Sequence, residues 1–474
     1  MESMNLFGKN NEKCDDGLVH YQGELGDFWY DPNEFKLEHF GRECLHYIGT
    51  RKEVRLPQGC VSTRYMFFRS ELPEGFKLID FDTSEVVDMS YMFCSCKIHE
   101  GFSLGARFNT SNVKNMSFMF SNCKIPSNFS LGDKFDTSKV KDMSHMFMDS
   151  DAAAVIIGDK FNTSNVTDMS CMFCGTELPS GFTLGNKFDT SNVTDMNSMF
   201  CRCKLSSGFT LGNKFNTSNV TDMSCMFCKC ELSSGFTLGN KFDTSNVTDM
   251  SCMFCQCKLP SGFTLGNKFD TNNVRNMCSM FCQCKLPSGF TLGNKFDTYN
   301  VEIMNAMFAE CEMATGFSLG DRFNTSNVRD MYGMFCGCVF PADFSLGKKF
   351  ITSNVARMSY MFNRCDLPER FFLMDNFDTS NVTDMSNMFA NAKLPEDFTL
   401  SEKFTFETAT NLSNMFYCVE FPKGFSLNDF TFTANRDYAD MFSRCKFPAN
   451  FRIGGFPVKQ LGKIICSFTS KIVL

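Results

Sequence analysis

The sequence predicts an α/β repeat fold, a solenoid of about 14 turns of 27 residues, with a short parallel strand and a short helix in each turn. Three observations lead to this prediction: a phenylalanine that recurs at a fixed interval, apolar residues at helical spacing after it, and an alternating apolar–polar–apolar triplet. A chain of 474 residues would ordinarily be expected to form about three globular domains. A fixed period of this length instead indicates one continuous stack of repeats.

The recurring phenylalanine begins the string Phe-(Asp/Asn)-Thr-Ser-Asn-Val, and its step is 27 residues except for two steps of 26. It stands at Phe81, Phe108, Phe135, Phe161, Phe188, Phe215, Phe242, Phe269, Phe296, Phe323, Phe350, Phe377, Phe404 and Phe430. We therefore expect the solenoid at residues 61–450, an aromatic-rich N-terminal cap at residues 1–60 and a C-terminal cap at residues 451–474. Caps are expected because the open end of a stack exposes apolar surface and strand edges.

Within one turn, the helix is predicted after Asp189-Thr190-Ser191-Asn192, a cluster of residue types that favour helix N-caps. Four apolar residues then follow at spacings that would place them on one face of a helix: Val193, Met196, Met199 and Phe200. The triplet Phe209-Thr210-Leu211 alternates apolar, polar and apolar residues, and it predicts the strand. One turn has no partner for its apolar side, so we expect stacking of successive turns to bury these Met and Phe residues. Residues at equivalent positions of successive turns are called a column.

Two polar columns are interpreted as structural ladders. The first contains Asn192, Asn219, Asn246 and Asn273, whose amides could satisfy backbone groups of the neighbouring turn. The second contains Cys203, Cys230, Cys257 and Cys284, because a small and weakly polar residue suits a buried corner. A stripe of amides that faces a ligand remains an alternative for the asparagine column.

Three interpretations of the 26 cysteines remain open. Reduced packing thiols are favoured, because the first residues do not form a secretion signal. Disulfides between successive turns are an alternative, since stacked positions about 4.8 Å apart would allow a bridge. A soft-metal array is the third, because the segment Met-x-x-Met-Phe-Cys-x-Cys contains the sulfur ligands that such metals prefer. The methionines of that segment are needed to fill the apolar stripe, so no metal or cofactor is expected.

Residues 242–257 read Phe-Asp-Thr-Ser-Asn-Val-Thr-Asp-Met-Ser-Cys-Met-Phe-Cys-Gln-Cys. This string resembles the repeat of BspA-like leucine-rich repeat proteins of the mycoplasma-lipoprotein type, over about four fifths of the chain. The resemblance implies a right-handed leucine-rich-repeat-like solenoid with a parallel strand ladder. It also implies a relation to surface proteins and adhesins of bacteria and protists, and to some proteins of large DNA viruses. The sequence departs from that pattern because it has no lipobox cysteine near its start.

Composition and motifs narrow the function. The net charge of −7 argues against a nucleic-acid-binding role. The sequence contains no run of 18 apolar residues, so we expect no insertion into a membrane. The common nucleotide-binding, serine-hydrolase and zinc-protease motifs do not occur, so no enzyme is expected. We expect a non-enzymatic scaffold for protein–protein interaction along an extended face, with self-association as a further option. That face is predicted at the polar residues of the strand triplet: Thr183, Thr210, Thr237, Thr264, Thr291, Ser318, Ser345 and Thr399.

Alternatives from other classes also fit the sequence. One is a surface adhesin or a structural coat component of a cell or virus particle, as the family resemblance implies. Another is a regular threonine array that binds an ordered surface such as ice or carbohydrate. The expected location is intracellular or virion-associated, and the cell surface is the alternative.

Overall fold

The computed structural model describes residues 17–126, 129, 131–150, 161–449 and 451–460. The start of the predicted N-terminal cap and most of the predicted C-terminal cap lie outside these residues. The chain divides into two compact units, Met1–Val220 (unit 1) and Thr221–Leu474 (unit 2). In each unit, successive repeats are joined by parallel backbone bridges between equivalent positions, such as Asp88 with Asn115 and Asp249 with Asn276.

Unit 1 begins with two antiparallel hairpins. Strands β1 (Val19–Gly23) and β2 (Gly26–Tyr30) form the first, and β3 (Phe35–His39) and β4 (Glu43–Tyr47) form the second. Alternating residues are buried at the ends of the first hairpin, and Phe35 and Tyr47 are buried in the second. The ring of Tyr47 lies 5.6 Å from that of Phe67, so the second hairpin packs on the first repeats. Gly26 has a φ of 122°, and a side chain there would collide with the carbonyl oxygen of Gly59.

The remaining strands are two residues long. Unit 1 has β5 (Glu53–Val54) parallel to β6 (Lys77–Leu78), and β7 (Glu177–Leu178) parallel to β8 (Lys204–Leu205). Unit 2 has β9 (Glu231–Leu232), β10 (Lys285–Leu286) parallel to β11 (Glu312–Met313), the hairpin of β12 (Arg452–Ile453) with β13 (Phe456–Pro457), and one turn of 3-10 helix, Val458–Gln460. These strands form small separate sheets.

The predicted helix is wrong: the described residues contain no α-helix, and its place in each repeat is taken by consecutive tight turns. In the repeat that starts at Phe242, Cys252 and Gln256 both have a φ of 55°, a left-handed conformation that an α-helix cannot accommodate. The N–H of Met253 closes a turn on the carbonyl of Met250, at 3.2 Å. The α/β fold class with one helix per turn is therefore overturned.

The amides of this segment alternate between two kinds of partner. The N–H groups of Met250, Cys252 and Phe254 donate to carbonyl oxygens of the following repeat, at 3.0, 2.7 and 2.9 Å. Of the amides between them, that of Met253 closes a four-residue turn on Met250, and that of Ser251 donates to the carboxylate of Asp249 at 2.8 Å. Half of the hydrogen bonds that a helix would keep internally are thus used to join two repeats, which satisfies the buried backbone without a helix or a long strand.

The predicted strand is also misplaced. In the repeat that starts at Phe188, the strand is Lys204–Leu205, whereas the triplet 209–211 contains only an isolated bridge between Thr210 and Thr183. A continuous ladder of strands, which the family resemblance implied, is absent from the described part of the chain. Short two-residue pairs and single bridges take its place.

The core consists of the predicted apolar columns. Met253 and Phe254 have no exposed surface, and the same holds for the equivalent pairs from Met92-Phe93 to Met415-Phe416. Phenylalanine rings of successive repeats stack almost in parallel: in unit 2, the centroids of Phe254 and Phe281 are 5.7 Å apart at 7°. The sequence prediction that paired Met and Phe columns form the core is confirmed. Such offset stacking adds to the free energy that burial alone provides.

A buried threonine joins neighbouring repeats at a third place. Thr244 has no exposed surface, and its hydroxyl donates to the carbonyl of Asp270 at 2.7 Å and accepts from the amide of Asp270 at 2.8 Å. Equivalent threonines are fully buried in the other repeats from Thr83 to Thr379. A single hydroxyl therefore satisfies two backbone groups that would otherwise be buried without partners.

Candidate interaction surface

The eight residues of the predicted binding face are exposed in both units. Phe290 and Leu292 are 2% and 4% exposed, while Thr291 between them points to solvent. The same alternation places the other members outward: Thr183 and Thr210 in unit 1, and Thr237, Thr264, Ser318, Ser345 and Thr399 in unit 2. Each hydroxyl is held in position by the buried side chains that flank it. We call this set the Thr/Ser column.

Unit 2 contains an aromatic residue in this column that sequence reasoning missed. Phe372 lies 27 residues after Ser345 and 27 before Thr399, and 47% of it is exposed. Its neighbour Phe371 is fully buried and supplies the apolar position of the triplet. The signal in the sequence was the pair Phe371-Phe372, which replaces the usual Phe-Thr or Phe-Ser.

The asparagine ladder lies on an exposed part of the surface. The side-chain amide of Asn192 donates to the carbonyl of Ser164 at 2.7 Å, and the amide of Asn219 donates to Ser191 at the same distance. In unit 2, the amide of Asn273 donates to the carbonyl of Ser245 at 2.6 Å. Asn246 occupies the equivalent exposed position. These amide donors are thus committed to the backbone of the preceding repeat.

Three later members of the asparagine column line a shallow groove of about 360 Å³ in unit 2. Its walls are formed by Asn300, Asn327 and Asn354, together with the charged residues Arg275, Glu302 and Arg329. The amide groups of all three asparagines donate to backbone carbonyls. A polar ligand would therefore meet the amide oxygens, the guanidinium groups and the carboxylate of Glu302, which is paired with Arg275 at 3.3 Å.

The four cysteines of the predicted ladder are buried. The thiol of Cys203 donates to the carbonyl of Phe173 in unit 1, and that of Cys284 donates to Phe254 in unit 2, both at 2.8 Å. Cys230 and Cys257 are 0% and 2% exposed. Burial raises the pKa of Cys284 to about 12 and that of Cys257 well above its usual range. These thiols therefore stay protonated and unreactive at neutral pH.

The second cysteine column lies nearer the surface. Cys174 and Cys201 belong to it in unit 1, and Cys228, Cys255 and Cys282 belong to it in unit 2. All 24 cysteines of the described residues are present as thiols and not as disulfides. In the same part of the chain, no group of three or more His, Cys, Asp or Glu side chains is arranged to hold a metal ion.

A row of stacked rings in unit 1 was also missed. Tyr65, Tyr91, Phe118 and His145 occupy one half-buried position in four successive repeats. Their ring centroids are 4.4, 4.2 and 4.0 Å apart, and neighbouring planes differ by at most 13°. Desolvation lowers the pKa of His145, so its ring stacks in the neutral form at neutral pH. Cys171 continues the same position in the next repeat.

The repeats match the protein family described as "Mycoplasma protein of unknown function, DUF285", over residues 61–180, 153–259, 177–289, 235–344, 260–370 and 346–453. The chain belongs to this family. The DUF285 matches overlap and together span residues 61–453, so several successive repeats make up each match. No curated protein and no solved structure matches the chain. Among the described residues of this DUF285 protein, no helix is both long and apolar enough to cross a bilayer.

Proposed function

We propose that this DUF285 repeat protein is a non-enzymatic scaffold that binds another protein through the Thr/Ser column of unit 2. The supporting observation is the outward alternation of this column, with hydroxyl groups at Thr237, Thr264 and Thr291 held at a regular interval on a rigid, buried support. Repeats that are nearly identical offer a repeated surface and not a single asymmetric pocket, which favours binding over catalysis.

Phe372 gives this surface an apolar anchor. Aromatic side chains contribute disproportionately to protein–protein affinity when polar contacts surround them. Here the ring is 47% exposed and flanked in the column by the hydroxyls of Ser345 and Thr399. Covering the exposed half of such a side chain would contribute about 1 kcal/mol, and the flanking hydroxyls would add directional hydrogen bonds.

The test starts from a partner captured by the full chain and identified by mass spectrometry, whose affinity is then measured with purified proteins. The double variant Thr264→Lys, Thr291→Lys places two charged side chains on the column. The matched control is Gln256→Lys, Gln283→Lys, which adds the same charge to the same two repeats at a position where the chain already has Lys229. We expect at least about a ten-fold loss of affinity for the threonine variant and little change for the control. Equal affinities for the two variants would refute the assignment of this face.

The finer assignment to BspA-like leucine-rich repeats is part of this proposal. It is supported by the string at residues 242–257, and it brings the second candidate role of a surface adhesin or coat component. Labelling of intact cells with a reagent that does not enter them separates the roles. Labelled protein would favour the adhesin, whereas protein labelled only after lysis would favour an internal scaffold. Sedimentation of the purified chain over a range of concentrations tests self-association.

A further inference from the structure

Three thiols and one cation meet at a single place on unit 1. Cys171 and Cys174 form a Cys-Met-Phe-Cys sequence across a tight turn, in which the amide of Cys174 donates to the carbonyl of Cys171 at 3.1 Å. Cys201 occupies the position of Cys174 in the next repeat, and its carbonyl accepts the amide of Gly175 at 2.7 Å. The thiols of Cys171 and Cys201 are both hydrogen-bonding neighbours of the Cys174 sulfur.

The cation is Arg202, and it is held in place by an ion pair. Its Nη2 atom lies 3.7 Å from the sulfur of Cys174 and 3.1 and 3.2 Å from the two carboxylate oxygens of Asp149. Asp149 and Arg202 are separated by 53 residues, so the pair reaches over the intervening repeat. The guanidinium is thereby positioned beside the thiol, with half of the Arg202 side chain exposed.

Gly175 leaves the space that this ion pair needs. A Cβ at position 175 would overlap the carboxylate of Asp149 and would lie 3.3 Å from Nη2 of Arg202. The residue also has a φ of 72°, which glycine adopts without strain. Other repeats place Lys229, Gln256 or Gln283 at the position of Arg202, and the sequence Cys-Met-Phe-Cys recurs in the repeats of Lys229 and Gln256 without this glycine. Glu310, Gly337 and Arg364 recur at the positions of Asp149, Gly175 and Arg202, but Gly333 stands there in place of Cys171. In the sequence, Cys-Met-Phe-Cys followed directly by glycine occurs only at residues 171–175.

We propose that Cys174 is a peroxide-sensitive thiol and that Cys171 is the thiol that resolves its oxidised form to a disulfide. A thiolate is the reactive species in this chemistry, and an adjacent cation together with a neighbouring thiol is the environment in which reactive cysteines occur. In the ladder thiol Cys203, by contrast, burial raises the pKa above its usual range, and the thiol donates to the carbonyl of Phe173.

The pKa of Cys174 is lowered, as is that of Cys255, which has thiol neighbours and Lys229 nearby; the ion pair of Arg202 with Asp149 distinguishes Cys174. Hydrogen bonds from the thiols of Cys171 and Cys201, followed by the contact with Arg202, hold the pKa of Cys174 below its usual value in spite of burial. The pKa of Cys171 is raised by its hydrogen bond to Cys174, so it retains its proton while Cys174 is ionised. Cys174 is 7% exposed.

The reaction proceeds in two steps and uses hydrogen peroxide as the oxidant. The Cys174 thiolate attacks one oxygen of the peroxide, an S–O bond forms, the O–O bond breaks, and hydroxide leaves and takes up a proton. The sulfur of Cys171 then attacks the sulfenic acid of Cys174; an S–S bond forms, the S–O bond breaks, and the departing hydroxide leaves as water with the proton of Cys171. Two thiols give two electrons to the peroxide, and two molecules of water are released.

The experiment exposes the reduced full chain briefly to hydrogen peroxide, alkylates the remaining thiols and maps the peptides by mass spectrometry. We expect the Cys171–Cys174 disulfide first, while Cys203 and Cys278 remain thiols. Cys278 is the matched control, because it is a half-buried thiol whose sulfur lies 3.6 Å from the hydroxyl of Ser279. Oxidation of Cys174 no faster than Cys278 would overturn the proposal. A Cys174–Cys201 disulfide in its place would overturn the role of Cys171.

Two variants test the parts separately. Arg202→Gln introduces the residue found at the equivalent positions 256 and 283, and it should slow disulfide formation by about five-fold or more while the fold is kept. Cys171→Ser combined with Cys201→Ser removes both thiols beside Cys174 and should leave it as a sulfenic acid that dimedone traps. An unchanged rate in Arg202→Gln, or no dimedone adduct on Cys174 in the double variant, would contradict the mechanism.

Discussion

The buried threonine that joins two repeats gives the sharpest test of how the repeats hold together. Replacing Thr244 by valine keeps the shape of the side chain but removes the hydroxyl that serves the amide and the carbonyl of Asp270, at 2.8 and 2.7 Å. Each buried polar group left without a partner costs about 1–3 kcal/mol. Because Thr244 has no exposed surface, water cannot replace the hydroxyl without opening the contact. The expected loss is about 2–4 kcal/mol in the free energy of separating the two repeats.

Hydrogen–deuterium exchange of the full chain measures this loss locally, which matters because long repeat arrays do not unfold in one step. Exchange of the peptides around residue 270 should accelerate roughly 30- to 700-fold, since about 1.4 kcal/mol corresponds to a factor of ten. The control is Thr264→Val, the same substitution at an exposed member of the Thr/Ser column in the same repeat. Equal exchange in the two variants would refute the role assigned to the buried hydroxyl.

Three further outcomes follow from the same contacts. Phe281→Ala should lower the free energy of unfolding of unit 2 by about 3–5 kcal/mol, because this fully buried ring stacks between two others. A loss of free energy below about 1 kcal/mol, measured by hydrogen exchange, would contradict that packing. Asn273→Ala should cost about 0.5–1.5 kcal/mol by removing the bond to Ser245, again read from local exchange, and faster exchange should be confined to the two repeats concerned. Burial raises the pKa of Cys284 to about 12, whereas an unfolded thiol titrates near 8.5, so the unfolded chain loses its proton first. Stability against urea should therefore be constant below about pH 8.5 and fall as pH rises toward about 12, and Cys284→Ser should lessen that fall.

The sequence was most informative where one residue type recurs at one position. Met253 and Phe254 stand in columns that hardly vary, and a constant large apolar column in a repeat has no explanation other than burial. Exposure of the Thr/Ser column followed from the same logic, because the polar residue alternates with two buried ones. Phe372 could have been recognised by its departure from that column.

The helix could not be excluded from the sequence, because its apolar spacing also fits two successive tight turns. The residues interpreted as a helix cap instead form side-chain turns: in the repeat that starts at Phe242, the carboxylate of Asp243 accepts both the amide and the hydroxyl of Ser245, at 3.1 and 2.7 Å. Asp and Ser favour helix caps and such turns for the same reason, a short side chain that reaches the nearby backbone. The left-handed residues Cys252 and Gln256 are not glycine, so nothing marked them.

The thiol site was out of reach for a different reason. The sequence Cys-Met-Phe-Cys was visible, but the ion pair between Asp149 and Arg202 joins residues two repeats apart. Only the stacking of the repeats brings that carboxylate and that guanidinium together. Contacts between successive repeats can be read from a period, whereas one that skips a repeat depends on a gap such as the one at Gly175.

The forward direction of the backbone bonds has a consequence for how these chains change in length. Because the amide of Met250 reaches the carbonyl of Asn276 and the amide of Met277 reaches that of Ile303, every interior repeat presents to the next one the same donors that it receives from the one before. Excising one complete period from the interior of unit 2 brings together two surfaces that already match. Removing a single residue instead puts every amide of the junction out of step with its carbonyl. Gain or loss of whole periods is thus the change in chain length that disturbs the fewest hydrogen bonds between repeats.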